Sequence, residues 1–333
     1  MTIQQVAKAA SVSPSTVSRY LNGSLTLTGE TRSRIDQAVA ALGYVHRPRV
    51  RRAEARPAVT VGLIVPELTN PYFAVLAEEI IAAATQKSIS VAVFSAAYLS
   101  RNERSHVELA QSLGLHGLLY VGMTTRNESL DEGVRSGLPV VVVDEPQELS
   151  EDSSTVFQDD YSGAFQAVSY LVGLGHREIG FVSGSSATRT AQERYRAYID
   201  VLRAHDIDPD SQFYGVGSFT EEYGATALTQ MLASQSRPTA VFAASDIIAV
   251  GIAVAAKAMR VRIPADLSIV GYDDIPAARY LSPPLTTVRS PLPETARAAV
   301  ELISAAIRNP GSQSQHVVVP VGMVIRESAQ ARS

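Results

Sequence analysis

The chain has 333 residues, of which 46% are apolar and 19% are charged, and it contains no cysteine. This length and composition allow more than one buried core and exclude a wholly disordered protein. Without cysteine, disulfides, thiolate nucleophiles and sulfur-ligated metal sites are excluded. No apolar stretch approaches the roughly 20 residues of a membrane span. Residues 1–5 show no basic region followed by an apolar run. We therefore expect a cytoplasmic protein without a membrane partner.

Basic residues concentrate near the start of the chain. Residues 1–57 carry nine basic and three acidic side chains, a net charge of +6, whereas the remainder carries 20 basic and 30 acidic side chains. A basic segment in an otherwise acidic chain is typical of a protein in which one module binds nucleic-acid phosphates and another module does not.

Three short helices are predicted within the first 43 residues. Each follows a capping residue, at Thr2, Ser13 and Thr28, and carries a stripe of apolar residues. Gln5 completes a capping box with Thr2, and Gly43 ends the third helix. The first two helices, joined by a tight turn, predict a helix-turn-helix whose second helix enters a DNA major groove. A small helical bundle with a solvated polar face is the alternative.

A specific resemblance is carried by residues 2–23, which read TIQQVAKAASVSPSTVSRYLNG, and continues through 31–35 and 42–44. These residues resemble the head piece of the LacI/GalR family of bacterial transcription regulators, and ordered motifs extend the similarity to about residue 328. The family usually has Gly where this chain has Ser11, so a modest strain is expected there if the backbone of this turn has a positive φ. The resemblance implies base reading by Ser15 and Arg19. The full DNA-binding set that it implies is Ser15, Thr16, Ser18, Arg19, Asn22 and Thr31.

The arginine-rich stretch 47–57 is too polar to fold alone and is predicted to be a hinge or linker. In the family this tether becomes a helix on the operator and wedges a Leu into the minor groove. Ala53 aligns with that Leu, and Val50 is the bulky apolar residue nearby. We expect phosphate contacts from Arg49, Arg51 and Arg52.

From residue 59 onward, short apolar runs alternate with helix-patterned segments, which predicts parallel sheets covered on both faces. The acidic, turn-rich stretch 145–154 divides these units into two doubly wound α/β lobes, as in periplasmic-binding-protein-like folds. The predicted parts are a head (1–46), a linker (47–57) and a body (58–330), with one lobe at about 58–154 and 288–316 and the other at about 155–287 and 317–330.

A cleft between the lobes is the predicted ligand site, because ligands of such sheets bind at the carboxyl ends of the strands. The resemblance names its residues, whose carboxylates, guanidinium and aromatic rings suit a sugar-like or nucleoside-like effector. Each residue also has a simpler interpretation that involves no ligand. Asp144 would cap the next element, Arg194 would pair with Glu193, and Phe219 would pack in the core. The predicted effector-binding residues are Tyr72, Phe73, Asp144, Thr190, Arg194, Phe219, Ser245 and Asp273.

Phosphate-binding glycine loops, a GxSxG nucleophile motif and metal-ligand spacing of histidines are all missing from the sequence. We therefore expect no enzyme, cofactor or metal. The resemblance implies a repressor that binds a pseudopalindromic operator as a homodimer and is regulated by a small-molecule effector. The alternative for residues 58–333 is a periplasmic-type solute-binding protein without a DNA role.

Overall fold

The computed structural model describes residues 2–22, 25–44, 59–97, 100–122, 126–147, 149 and 153–332. The chain divides into two units, Met1–Pro57 and Ala58–Ser333. The predictions for the linker, on Arg49, Val50, Arg51, Arg52 and Ala53, lie outside the described residues. None of the helices in the described ranges is both long and apolar enough to cross a lipid bilayer.

The described residues of the N-terminal unit form three helices, α1 (Ile3–Ala9), α2 (Pro14–Leu21) and α3 (Gly29–Leu42). The predicted capping box at Thr2 is present, with its backbone N–H donating to the Gln5 side chain at 2.8 Å. The helices enclose a small apolar core that consists of Val6, Ala7, Ala10, Val17, Ile35 and Ala38.

The turn between α1 and α2 has the predicted strained residue. Ser11 has a φ of +55°, in the left-handed region where a side chain costs roughly 1 kcal/mol. Its neighbour Ser13 caps α2, because its hydroxyl accepts the backbone N–H of Thr16 at 3.1 Å. The helix-turn-helix geometry is therefore formed despite the side chain at the turn.

The second unit contains two six-stranded sheets. All strand pairs of the first sheet are parallel, and its strands lie in the order β11-β5-β4-β3-β1-β2. Those strands are β1 (Thr60–Val65), β2 (Ser90–Ser95), β3 (Gly117–Tyr120), β4 (Val140–Val143), β5 (Ser154–Gln158) and β11 (His316–Val319).

The second sheet has the order β12-β10-β9-β8-β6-β7 and is parallel except at β12, which pairs antiparallel with β10. The sequence pattern predicted only parallel sheets, so β12 is an exception at the edge of the sheet. The strands are β6 (Ile179–Ser183), β7 (Tyr214–Val216), β8 (Ala240–Ala243), β9 (Ser268–Asp273), β10 (Thr286–Arg289) and β12 (Gly322–Val324).

Each sheet is covered by helices on both faces, so alternate side chains of each central strand enter different cores. In β1, Leu63 and Val65 enter one core and Ile64 the other. Helices α4 (Pro71–Gln86) and α11 (Leu292–Arg308) cover one face of the first sheet, and α5 (Ser100–Ser112) and α6 (Glu128–Arg135) the other. The second sheet lies between the pairs α7 (Asp160–Gly173) with α8 (Arg189–Ala204) and α9 (Glu221–Ala233) with α10 (Asp246–Ala258).

The chain crosses between the lobes three times, each a few residues after the predicted position. The first lobe keeps β5, so the first crossing follows residue 158 rather than 154. The second follows β10 at residue 289 rather than 287, and the third follows β11 at residue 319 rather than 316. In each case the predicted boundary falls within a strand, and the chain leaves the lobe only after that strand is complete.

Candidate DNA-binding helix and effector cleft

Helix α2 presents short polar side chains and one arginine on its outer surface. Ser15, Arg19 and Asn22 are exposed, and Thr16 and Ser18 are half-buried. The hydroxyls of Ser15 and Thr16 lie 2.7 and 2.8 Å from that of Ser13. The amide of Asn22 donates to the Ser18 carbonyl at 2.8 Å. One accessible helix face therefore carries groups suited to base edges and phosphates.

The inner face of α2 is fixed against the rest of the head. Val17 is completely buried, and the hydroxyl of Tyr20 donates to the carboxylate of Asp36 on α3 at 2.9 Å. Thr31, the remaining predicted residue of the head, is half-buried in the first turn of α3. These contacts hold α2 in one orientation on the three-helix unit.

All eight predicted effector residues line a single cleft in the body, which encloses about 450 Å³ of empty space including its mouth. Asp144 follows β4, Asp273 ends β9 and Ser245 follows β8, so the carboxyl ends of strands from both sheets supply the lining. Three further residues, Asn70, Glu145 and Thr188, also line the cleft and lie outside the predicted set of eight.

Asp144 lies in a buried hydrogen-bond network. The hydroxyl of Tyr72 donates to its carboxylate at 2.6 Å, and the amide of Gln158 donates to the Tyr72 oxygen at 2.6 Å. Burial raises the pKa of Asp144 to about 7, against the opposing effect of the Tyr72 hydrogen bond. Its φ is +73°, uncommon for a side chain other than glycine. Such backbone strain concentrates at functional sites.

Arg194 is buried at the base of the cleft and bonded on three sides. Its Nε and Nη2 atoms contact a carboxylate oxygen of Asp160 at 2.9 and 2.7 Å, and Nη1 donates to the Ala244 carbonyl at 2.5 Å. Its Cζ atom lies 3.6 Å from the centre of the Tyr272 ring. The alternative partner, Glu193, pairs with Arg196 instead. The buried guanidinium is therefore held in one orientation.

Asp273 faces Arg194, with 4.0 Å between carboxylate and guanidinium. Burial raises the pKa of Asp273 to about 7, although Arg194 opposes this. Its φ of +115° lies in the left-handed half of the Ramachandran plot, so both cleft aspartates have unusual backbone geometry. Two carboxyls and one guanidinium in such a space can form charge-assisted hydrogen bonds with vicinal hydroxyls.

Aromatic rings and one free hydroxyl complete the lining. Tyr72 and Phe73 pack edge to face with ring centres 5.1 Å apart. The Phe219 ring packs closely on Gly184: a Cβ at position 184 would come within 2.2 Å of the ring, so a side chain there would displace it. The Ser245 hydroxyl is buried and, within the described residues, has no hydrogen-bond partner.

Of the three residues not assigned from sequence, Asn70 caps α4 by accepting the Tyr72 N–H at 3.1 Å, and Thr188 caps α8. Glu145 spans the lobes: its carboxylate accepts the backbone N–H groups of Arg189 and Thr190 and, at 2.7 Å, the Thr190 hydroxyl. An Asn-Pro pair marks a helix start in the sequence. Nothing local marks Glu145, whose partners lie 44 and 45 residues away.

The described part of the chain contains no group of histidine and acidic side chains arranged to hold a metal ion. The lining combines hydrogen-bonding groups for hydroxyls with aromatic walls for a ring. This arrangement is suited to reversible binding of a small polar ligand.

Comparisons with known proteins agree for both units. Residues 2–46 match the family described as bacterial regulatory proteins, lacI family, and residues 168–329 match a periplasmic binding protein-like domain. The ribose operon repressor of Haemophilus influenzae is 33% identical over 98% of each chain. The HTH-type transcriptional repressor CytR of Escherichia coli K12 is 31% identical over 99% of this chain and 96% of its own.

Among solved structures, the transcriptional regulator CelR in complex with cellobiose superimposes with a TM-score of 0.76 at 27% identity, covering 98% of this chain and 99% of its own. The similarity therefore includes the DNA-binding head, which the alternative of a solute-binding protein without a DNA role does not explain. Together the head, the two-lobed body and these full-length relatives show that the chain belongs to the lacI family of bacterial regulatory proteins.

Proposed function

We propose that this protein is a homodimeric repressor that binds a pseudopalindromic operator and is controlled by a sugar-like or nucleoside-like effector in the cleft. The observation that carries the proposal is the convergence of all eight predicted effector residues on one cleft. As a DNA-binding regulator it acts in the cytoplasm, at the nucleoid. Its relatives are named as repressors rather than enzymes, and we infer reversible binding without catalysis.

In this proposal α2 enters the major groove. Arg19 and Ser15, both exposed, read base edges, and Thr16, Ser18 and Asn22 contact phosphates. Arg49, Arg51 and Arg52 of the linker and Thr31 of α3 add sequence-independent contacts. A single head of this size buries too little surface for useful specificity, so two heads on a twofold-symmetric site are needed.

The effector class follows from the lining. Asp144, Asp273 and Arg194 offer hydrogen bonds to vicinal hydroxyls, and Tyr72, Phe73 and Phe219 provide apolar walls for a ring. One relative is named for a ribose operon, and a structural neighbour holds cellobiose. Both names fit a polyhydroxyl ligand.

The effector acts by favouring one arrangement of the two lobes. A ligand changes the equilibrium between two states only by its difference in affinity for them. Because the cleft lining comes from both lobes, closure on the ligand shifts one lobe against the other. In a dimer that shift alters the spacing of the two heads and hence operator affinity.

The proposal is tested in two steps on the full chain. An operator is selected from random duplexes, and thermal-shift screening against sugars and nucleosides then identifies a ligand. We expect that ligand to change operator affinity and Asp273→Ala to remove its effect. The matched control is Asp210→Ala, which removes an exposed carboxylate of the same lobe outside the cleft. Equal loss of response in both variants would contradict the assignment of the cleft.

A further inference from the structure

The N-terminus of α8 faces the cleft and is occupied by a carboxylate from the opposite lobe. Glu145, just after β4, is 2% exposed and accepts the N–H groups of Arg189 and Thr190, the latter at 3.2 Å. The Thr190 hydroxyl donates to the same carboxylate at 2.7 Å. Helix N-termini are common binding sites for phosphate groups. Here the side chain of Glu145 takes the place that a phosphate would need.

No N–H group of the first turn of α8, residues 189–192, remains for an added anion. Beyond the two that Glu145 accepts, the N–H of Ala191 donates to the Thr188 hydroxyl at 3.3 Å. The N–H of Gln192 donates to the Thr188 carbonyl at 3.1 Å. A phosphate could bind at this helix N-terminus only by displacing Glu145 from the N–H groups that donate to it.

The cationic side chain of the cleft lining is also neutralised. Arg194 is bound to Asp160 through two nitrogen atoms, and it faces Asp273 at 4.0 Å. Among the described residues, the lining contains three carboxyls, Asp144, Glu145 and Asp273, against this one guanidinium. The cleft is therefore unfavourable for a dianion, whereas the Ser245 hydroxyl, buried and without a partner among the described residues, can bond to a neutral group.

We propose that Glu145 is a specificity-determining residue, which makes the cleft accept an uncharged polyhydroxyl ligand and exclude the phosphorylated form of that ligand. This inference rests on the proposed function of the cleft. It adds a selectivity that the fold alone does not impose, because it depends on the acidic side chain at one position after β4 and on its contacts with α8.

The test compares matched pairs of probes: D-ribose with D-ribose 5-phosphate, adenosine with adenosine 5′-monophosphate, and cellobiose with cellobiose 6′-phosphate. Binding to the full chain is measured by isothermal titration calorimetry at pH 8, where the phosphates are dianions. For each pair whose neutral member binds, we expect the phosphorylated member to bind at least about 100-fold more weakly, because a buried unpaired charge is costly.

Variants test whether Glu145 causes this difference. The quantity compared is the ratio of the affinity for the neutral member of a pair to the affinity for its phosphorylated member. Glu145→Ala frees the N–H groups of α8, so the ratio should fall at least about tenfold. Glu145→Gln keeps an acceptor for those N–H groups but removes the charge, and should lower the ratio by less. Glu222→Ala, which removes an exposed carboxylate in the first turn of α9, should leave the ratio unchanged.

Each outcome bears on the inference separately. Phosphorylated probes that bind the wild type as well as neutral ones would overturn the selectivity and leave the proposed function intact. A ratio that stays the same in both Glu145 variants would overturn the role of Glu145. If no member of any pair binds, the proposed sugar-binding or nucleoside-binding function fails, and the inference fails with it.

Discussion

Replacing Asp144 with Asn should stabilise the protein at pH 8. Burial holds the pKa of Asp144 near 7 in the folded chain, against a usual value of 3.8. Because the pKa of Asp144 is raised in the folded chain, the protonated carboxyl does not destabilise the fold below about pH 4. The free energy of unfolding then falls as the pH rises from about 4 through 7. At about 1.4 kcal/mol for each pH unit, ionisation of this buried carboxyl lowers the free energy of unfolding by about 4 kcal/mol.

Asn keeps an oxygen that can accept the Tyr72 hydroxyl proton, which Asp144 accepts at 2.6 Å, but it cannot ionise. The free energy of unfolding of the variant should therefore exceed that of the wild type by about 4 kcal/mol at pH 8 and by about 1.7 kcal/mol at pH 5. For a domain of this size the difference at pH 8 corresponds to a rise in Tm of about 10 °C. Effector binding should weaken at the same time, because stability and function oppose each other at such sites.

Urea denaturation followed by far-ultraviolet circular dichroism at the two pH values measures this directly. Asp210→Asn, at an exposed position, is the matched control and should show no such dependence. An Asp144→Asn variant that is no more stable than the wild type at pH 8 would refute the reasoning. The same stability gain at both pH values would show that ionisation of Asp144 is not the cause.

Three further predictions concern DNA and effector binding. Arg19→Ala should relax base preference at one operator position by about 1–3 kcal/mol, and unchanged preference in a binding-site selection would remove Arg19 from base reading. Replacing Arg49, Arg51 and Arg52 by Ala should reduce the log–log salt slope of operator binding by about 2.7; an unaltered slope would exclude their phosphate contacts. Asp273→Ala should remove the effector response and preserve operator binding, so a normal induction curve would contradict its role.

Local signals predicted the head closely because they act within a few residues. The capping box of Thr2 with Gln5, the cap at Ser13 and the left-handed Gly43 each fix a helix end through contacts at short sequence separation. The turn at Ser11 has the expected positive φ. These features need no tertiary context.

The edges of the sheets were harder to predict. Strand β5, Ser154–Gln158, lies next to the edge strand β11; in the sequence it comes after an acidic stretch and mixes polar with apolar residues, so its pattern resembles a loop. Strands β11 and β12 are short, and each joins a different sheet. Their pairing depends on partners far along the chain, which a local pattern does not encode.

The lining of the cleft could be predicted residue by residue only through resemblance to a family. Glu145 stayed unassigned because its contacts reach α8 in the other lobe. The partner of Arg194 also could not be predicted: Glu193 was the alternative that the sequence offered, whereas the folded chain supplies Asp160, 34 residues away. Such pairings depend on how the lobes meet.

The most direct test of the proposed function measures the affinity of the purified protein for its selected operator and for unrelated duplexes, with and without the effector found by screening. We expect at least about 1,000-fold preference for the operator, and a change of at least about tenfold in that affinity when the effector is added. Equal, weak binding to every duplex, unaffected by any sugar or nucleoside, would contradict the account.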